Sequence, residues 1–232
     1  MRATRLPIIA FLLSPLATGT SFIVVWGPAV VAVAVDGRGT YHANGTDRAI
    51  PACKALRIGD TVYTAAGDIP PGLKDTITTA GISAGGHKVA TSVQGLVFQN
   101  RLHDPTYYSK YRPGYVILTI LSVRVGLKAG GKQLTQFLIG EHDGIVARTI
   151  ELSGATGIFC ACLGQPPAPP IGWEKGSPTK FVRDALTAGF QSDPFSGPPL
   201  TIIRVTPNKA EWLELGNCKA DGSNAWDTTP PQ

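Results

Sequence analysis

Residues 20–36 read TSFIVVWGPAVVAVAVD, and this stretch decides the fold that we predict for the rest of the chain. The runs FIVVW and AVVAVAV are rich in β-branched residues and almost continuously apolar, which is typical of strands buried on both faces. Gly27-Pro28 separates the two runs and supplies a two-residue break. We therefore predict a buried β-hairpin at the centre of the fold. Thr20, which opens it, is also a candidate for the chemistry.

The residues before this hairpin have the three parts of a secretory signal. Residues 1–5 are basic, residues 7–17 are mostly apolar, and Ala17-Thr18-Gly19 places small residues at the end. Removal of residues 1–19 leaves Thr20 first, with its own α-amino group beside its hydroxyl. An uncleaved membrane anchor and a pro-segment removed autocatalytically remain as alternatives. Cleavage predicts an exported protein, periplasmic or secreted, without a stable membrane span, and without cleavage we expect a cytoplasmic one.

The composition favours one globular domain of α+β or all-β class. The chain has 232 residues, of which 43% are hydrophobic and only 16% charged, and it contains 27 Gly and 19 Pro. Its formal net charge is +5, and loss of Arg2 and Arg5 with the signal leaves 19 basic against 16 acidic residues. Because no basic run or aromatic-interleaved basic stripe stands out, we expect no nucleic-acid partner.

The remaining elements read as hairpins and helices in a definite order. A second hairpin covers Ile50–Gly67 with its turn at Gly59-Asp60, and two helices follow, the clearer over Lys88–Arg101. The apolar run Tyr115–Val125 is ambiguous between strand and helix, and its β-branched content favours a strand. The later elements are a hairpin turning at Glu141–Gly144, a helix capped by Ser177-Pro178, and a hairpin around Pro207–Lys209. Residues 37–48 read as a loop or short strand. We predict a signal peptide or pro-segment at 1–19, a domain at 20–216 and a flexible tail at 217–232.

The four cysteines indicate disulfides rather than a metal site. An even number in an exported chain permits two disulfides in three connectivities, between which the sequence does not choose. The four histidines lack the spacing of metal ligands, so we expect no metal and no cofactor. The cysteines are Cys53, Cys160, Cys162 and Cys218.

Four local patterns share the spacing of a known family. Gly19-Thr20 opens the first strand, and AVDGR, with Asp36 and Arg38, closes the second. Lys54 stands just before a hairpin that ends in Ala66-Gly67. Near the end of the last long helix comes Asp193-Pro-Phe-Ser196-Gly197, followed by a strand. On these patterns and the order of elements, the chain from Thr20 to about Leu215 resembles a β-type proteasome subunit, including the bacterial HslV kind, of the N-terminal-nucleophile (Ntn) hydrolases.

The resemblance implies an α+β fold in a four-layer αββα sandwich and a threonine-type peptidase or amidohydrolase. Thr20 would be the nucleophile, and its own amine the base. Asp36 and Lys54 would tune that amine, and the backbone of Gly67 would donate to the oxyanion. Asp193 and Ser196 would hold the amine by hydrogen bonds. The implied partners are a peptide or amide substrate and further copies of the chain, as a homo-oligomer.

The chain also departs from the family at several positions. Gly37 replaces the residue, usually serine, between Asp36 and Arg38, and Pro198 replaces a second glycine. Asp68 follows the Ala-Gly pair where glycine is common, and the serine of a Gly-Ser-Gly turn has no counterpart in Leu163-Gly164-Gln165. The alternative is therefore a catalytically inactive Ntn scaffold that serves binding or assembly.

A rival motif lies between the second hairpin and the clear helix. Gly81-Ile82-Ser83-Ala84-Gly85 fits the G-x-S-x-G pattern of α/β-hydrolases, and Ser83, Asp104 and His142 follow in the chain order of that triad. This pattern requires a strand directly before the serine and a helix directly after it. A serine esterase is thus a further alternative, although the preceding segment is polar and rich in threonine.

Overall fold

The computed structural model describes residues 21–28, 30–43, 46–67, 69–84, 86–103, 116–125, 132–140, 145–152, 156–161, 167–176, 178–189 and 196–227. These residues form a mixed α and β fold with a single 3₁₀ turn at Trp173–Lys175. The strands are β1 (Phe22–Trp26), β2 (Val31–Val35), β3 (Arg38–Ala43), β4 (Thr46–Pro51), β5 (Ala55–Ile58), β6 (Thr61–Gly67), β7 (Val116–Val125), β8 (Lys132–Gly140), β9 (Ile145–Glu151), β10 (Gly157–Ala161), β11 (Thr201–Thr206) and β12 (Lys209–Glu214). The helices are α1 (Leu73–Ala84), α2 (Gly86–His103) and α3 (Pro178–Gly189).

The strands form two five-stranded sheets and one separate hairpin. Sheet I has the order β10-β1-β2-β11-β12, and sheet II has the order β5-β6-β7-β8-β9. All neighbouring strands in both sheets are antiparallel. Within the residues that the structure describes, strands β3 and β4 pair only with each other. Sheet II is a meander, because its spatial order is its order along the chain.

The predicted central hairpin is confirmed as β1 and β2, and it is buried on both faces. Ile23, Val25 and Ala34 belong to a core with α3, whose Val182, Ala185 and Leu186 are fully buried. Residues of opposite strand parity, such as Val24 and Val33, belong to the larger core shared with sheet II and its helices. The sheets contact each other through β11 with β6 and β7, while α1 contacts β5 and α2 contacts β8 and β9.

Most of the other predicted elements are also confirmed. The hairpin of β5 and β6 turns at Gly59-Asp60, and α2 buries Val89, Val93 and Val97 along one face. The ambiguous apolar run Tyr115–Val125 is strand from Val116 on. The weakly helical segment from Leu73 is α1. The turn at 141–144 and the cap at Ser177 lie outside the described residues.

Two stretches differ from the prediction for strands. Residues 38–51, read in part as a loop or short strand, form the paired strands β3 and β4, with Tyr41 opposite Arg48. Asn44-Gly45 between them is the residue pair most favoured in two-residue hairpin loops, and it is the signal that predicts this hairpin. The edge strand β10, which carries Cys160, pairs with β1. The local sequence of β10 indicates a strand only weakly. Its pairing partner, β1, lies more than a hundred residues earlier in the sequence.

The prediction of a flexible tail from Asn217 is wrong for residues 217–227. Cys218 forms a disulfide with Cys53, and Ala225 and Trp226 are buried. This disulfide joins residues 165 apart, and closing so long a loop in the unfolded chain is worth about 5 kcal/mol in the chain-entropy model. A polar composition indicated disorder, but the covalent link and the two apolar side chains hold the segment on the domain. Cys160 is disulfide-bonded as well, and its partner lies outside the described residues.

Candidate active site

A buried ion pair joins the two sheets at one end. Asp36 directly follows β2 of sheet I, and Lys54 comes one residue before β5 of sheet II. The Lys54 Nζ donates to Asp36 Oδ1 at 3.0 Å and to Oδ2 at 2.9 Å. Asp36 is 0% exposed and Lys54 6%. A lysine almost never loses its water to this extent unless a partner compensates for its charge.

The carboxylate of Asp36 also accepts two backbone hydrogen bonds. The N–H of Ser21 donates to Oδ1 at 2.9 Å, and the N–H of Arg38 donates to Oδ2 at 3.3 Å. Burial raises the pKa of the Asp36 carboxyl above its ordinary value, while the Lys54 ammonium and the two N–H donors oppose that rise. Three donor groups, which make four hydrogen bonds to the two oxygens, match an ionised carboxylate beside an ammonium.

Ser196 lies next to the same group of residues. Its hydroxyl oxygen is 3.2 Å from the hydroxyl oxygen of Ser21, and both side chains are buried. The Ser21 carbonyl in turn accepts the N–H of Asp36 at 3.1 Å. Ser21 is therefore tied both to Asp36, at the end of β2, and to Ser196, 175 residues further along the chain.

The structure thus brings together three of the six residues predicted for the site. Asp36, Lys54 and Ser196 converge around Ser21, which directly follows Thr20 in the sequence. Thr20 itself and Asp193 lie outside the described residues. Ser21 is the residue that the sequence reasoning missed, and its only signal was its place directly after the candidate nucleophile.

Gly67, the predicted oxyanion donor, ends β6. Ala55 pairs with Thr64, so the strand end that carries Gly67 lies at the same end of sheet II as Lys54. Gly67 has a φ of 109°, a backbone conformation that glycine adopts without steric cost and other residues avoid. The backbone conformation by itself therefore accounts for a glycine at position 67, independently of any role of its amide as an oxyanion donor.

Two of the family-like motifs contact each other beside the ion pair. The N–H of Gly37 donates to the carbonyl of Gly197 at 2.9 Å. Arg38 lies across Gly197, since a Cβ built on that glycine would be 2.9 Å from the guanidinium carbon. The Asp-Gly-Arg and Ser-Gly stretches, which the sequence shows only as separate patterns, therefore form one packed unit.

The departure at Gly37 has a steric cause. A Cβ at this position would lie 1.9 Å from the carbonyl oxygen of Pro199, a distance that real atoms do not adopt. The proline-containing turn after Gly197 thus comes so close that only glycine fits. Gly37, directly after Asp36, is thus packed against the turn that follows Ser196 and Gly197.

Gly37→Ser, which introduces the serine usual at this position in proteasome-like subunits, is expected to destabilise the protein. The new Cβ has to displace the backbone at Pro199, and such overpacking costs about 2–3 kcal/mol of unfolding free energy. Urea denaturation of Gly37→Ser against the parent protein measures this. Gly95→Ala is the matched control, because nothing lies within 4 Å of a Cβ at Gly95 on α2, and alanine there should stabilise by up to about 1 kcal/mol. A Gly37→Ser protein as stable as its parent would contradict the steric explanation.

The local structure around the rival motif does not suit an esterase. The segment before Ser83, which would have to be a strand, is the helix α1, and Ser83 lies inside that helix. A nucleophile elbow needs the sharp turn between a strand and a helix to lift the serine from the backbone. The other two members of that triad, Asp104 and His142, lie outside the described residues.

Comparison with known proteins leaves the chain without an assigned family. A scan against protein-family models and a search of the curated proteins gave no match. Among the residues that the structure describes, no three or more His, Cys, Asp or Glu side chains are grouped so that they could hold a metal ion. Within the same residues, no helix combines the length and apolar character needed to span a membrane. The functional assignment therefore rests on the geometry of the site.

Proposed function

We propose that this protein is a threonine-type peptidase or amidohydrolase whose nucleophile is Thr20, exposed as the first residue by removal of residues 1–19. The observation that carries the proposal is the buried Asp36–Lys54 pair, hydrogen-bonded to the amide of the residue that follows Thr20. The Ser196 hydroxyl contacts the side-chain hydroxyl of the same residue. These are the groups that the mechanism needs close to an N-terminal amine.

Stability alone is a poor reason for this ion pair. Removing two charges from water costs several kcal/mol each, and apolar side chains of similar volume often give an equally stable or more stable protein. Charges retained in such a place are functional-site candidates. Ser21, whose N–H donates to Asp36, is covalently joined to Thr20. A free amine on Thr20 would therefore lie close to the Asp36 carboxylate and to Lys54.

The chemistry assigns a separate task to each group. The neutral Thr20 amine accepts the proton of the Thr20 hydroxyl as that oxygen attacks the substrate carbonyl carbon. The amine then gives the proton to the leaving nitrogen as the carbon–nitrogen bond breaks, which leaves an ester on Thr20. In the second half, the amine takes a proton from water as the water oxygen attacks the ester carbon, and it returns this proton to the Thr20 oxygen as the ester C–O bond breaks. The acid is released, and the hydroxyl and the neutral amine are restored.

Lys54 keeps the amine available as a base. An ammonium nearby lowers the pKa of the Thr20 amine by like-charge repulsion, so more of it is neutral near pH 7. Asp36 holds Lys54 charged and in place, and Ser196, with Asp193, orients the amine. The N–H of Gly67 donates to the oxyanion, a role worth about 3–4 kcal/mol in transition-state stabilisation for a single donor.

The fold and the cysteines support the same proposal. With α3 against sheet I, sheet I against sheet II, and α1 and α2 against sheet II, the contacts suit a four-layer αββα sandwich. The Cys53–Cys218 disulfide suits an oxidising compartment, as export of the chain would provide. The homo-oligomer implied by the resemblance stays a prediction.

The proposal is tested on protein purified from its native host. Intact-mass measurement should give a chain that begins at Thr20, and this material should hydrolyse some members of a panel of short fluorogenic peptide amides. A protein made to begin at residue 20 by cleavage of a fusion partner should have the same activity. A chain that retains Met1, or a correctly processed chain that hydrolyses no peptide, contradicts the enzyme and leaves the inactive scaffold as the better description.

A further inference from the structure

The C-terminal segment 217–227 contacts the backbone beside both members of the ion pair. The Asn217 side-chain amide donates to the carbonyl of Gly37, the residue after Asp36, at 2.7 Å. On the other side, Cys218 is bonded to Cys53, the residue before Lys54. Residues 217–227, which are distant in sequence from both members of the pair, therefore contact the chain next to Asp36 and next to Lys54.

Trp226 is hydrogen-bonded to the backbone at Lys54. Its backbone N–H donates to the carbonyl of Cys53 at 2.8 Å, and its indole Nε1–H donates to the carbonyl of Lys54 at 3.2 Å. The side chain is 7% exposed. Residues 52 and 54 belong to no strand, and Cys53 forms only an isolated bridge, to Ala225 of the same segment. The backbone at Cys53 and Lys54, directly before β5, is thus hydrogen-bonded to this segment.

The backbone of Trp226 is in an unfavourable conformation. Its φ of 54° lies in the left-handed region, which is a genuine outlier for a bulky side chain. Residues held in such regions cost about 1–3 kcal/mol each and are concentrated at functional sites. This conformation lets Trp226 donate both hydrogen bonds, one to the carbonyl of Cys53 and one to the carbonyl of Lys54.

The segment is also braced internally. The Asn224 side chain donates to the carbonyl of Asn217 at 2.8 Å and accepts the N–H of Lys219 at 2.8 Å. Its Gly222 packs so closely on Leu56 of β5 that a Cβ would lie 2.9 Å from that side chain. The segment is therefore rigid enough to act as a support.

We infer that residues 217–227 are a positioning clamp for the site, in which Trp226 and the Cys53–Cys218 disulfide hold the Lys54 backbone so that its ammonium reaches Asp36. The inference rests on the proposed function for its catalytic consequence. Trp226 touches no reacting atom in this scheme and acts only through Lys54. Loosening it should let the Lys54 ammonium move away from the Thr20 amine, and the pKa of that amine should rise.

The test compares two Trp→Phe substitutions, each of which removes an indole N–H donor. Trp226→Phe loses the indole donor to Lys54 and keeps a buried ring. Trp212→Phe is the matched control, because its indole donates at 3.1 Å to Ala220 of the same segment, away from Lys54. For Trp226→Phe we expect the acid limb of the pH profile to move up and kcat/KM at pH 6.5 to fall about fivefold, with recovery at high pH and little change in KM. Trp212→Phe should stay within about twofold of the parent protein at every pH.

Amide hydrogen exchange, measured by NMR, gives a readout that needs no enzyme activity. The N–H groups of Ser21 and Arg38, which donate to Asp36, should exchange at least about fivefold faster in Trp226→Phe than in Trp212→Phe. The double variant Cys53→Ala/Cys218→Ala should show the same change if it folds. Equal exchange at these two amides in Trp226→Phe and Trp212→Phe overturns the clamp, whether or not the protein is a peptidase.

The two proposals can fail separately. If processed protein is inactive, or if its activity survives Thr20→Ala, the proposed function is wrong, and the exchange result alone decides on the clamp. If the activity depends on Thr20 but the pH profile of Trp226→Phe equals that of the parent protein, the clamp inference is wrong and the proposed function stands.

Discussion

Thr20→Ala is expected to abolish peptide hydrolysis, with kcat falling by about three orders of magnitude or more, as loss of a covalent nucleophile does. The folded state should change little, because the residue precedes β1 and the core begins with the strand. Both proteins should be made to begin at residue 20 by cleavage of a fusion partner, so that failed processing cannot imitate failed catalysis. The measurement is kcat on the best fluorogenic substrate, with thermal denaturation of the same samples.

Two controls separate the hydroxyl from the amine. Thr20→Ser keeps both groups and should retain measurable turnover. A chain that begins at Gly19 keeps the hydroxyl but moves the free amine one residue away, and it should be about as inactive as Thr20→Ala, since the base is lost. If Thr20→Ala hydrolyses the peptides as well as the parent protein, the proposed nucleophile is wrong.

Lys54→Met is expected to impair both activity and stability. At pH 7, kcat/KM should fall by about 10- to 100-fold and partly recover as the pH rises, because the amine loses the cation that lowers its pKa. The unfolding free energy should fall by about 3–5 kcal/mol at neutral pH, since Asp36 is left as a buried carboxylate without its partner. Methionine keeps most of the length of lysine, so packing is largely preserved.

The stability loss should depend on pH in a defined direction. Burial raises the folded-state pKa of Asp36 above its ordinary 3.8, so the stability that depends on this group is lost as pH rises from 3.8 through the folded-state value. Removing Lys54 removes a charge that opposes this rise, and the loss becomes larger. The difference in Tm between Lys54→Met and the parent protein should therefore narrow when the pH is lowered from about 7 to about 4.

Two further proteins serve as controls for this substitution. Lys54→Met/Asp36→Asn removes both charges and keeps one acceptor oxygen, which serves only one of the two amides that donate to separate oxygens of Asp36, so it should regain part of the stability and none of the activity. Lys180→Ala breaks an exposed pair with Asp184 on α3 and should cost less than about 1 kcal/mol. A Lys54→Met protein with the parent's activity and pH profile would show that the ion pair is structural only.

The strands and helices followed from local sequence patterns because the periods of side-chain burial are local. Alternating or continuous apolar residues predicted the hairpins of β1 with β2 and of β5 with β6. The Gly27-Pro28 break and the Gly59-Asp60 turn were visible within a few residues, although the first turn extends to Val30, whose carbonyl accepts the N–H of Gly27. The spacing of Val89, Val93 and Val97 predicted α2 for the same reason. The hairpin of β3 and β4 was missed although its Asn-Gly signal was present, since its strands are largely polar.

The candidate site was predicted in part. The positions of Asp36, Lys54 and Ser196 came from a resemblance in spacing, and the structure brings the three together. Ser21 was missed because a serine at the start of a strand has no distinguishing pattern; its role depends on contacts with residues 15 and 175 positions away. The docking of the C-terminal segment was missed because its composition is polar, and composition does not report which distant cysteine a cysteine will meet.

By itself, the sequence determined the buried central hairpin, the hairpin of β5 and β6 and the helix α2, because each of these depends on residues a few positions apart. Only the tertiary structure decided that Cys53 pairs with Cys218, that Gly37 must be glycine beneath Pro199, and that Trp226 supports the backbone of Lys54. These are contacts between residues more than 160 positions apart. Their geometry exists only once the two sheets and the C-terminal segment have packed, since no local pattern records which distant surfaces will meet.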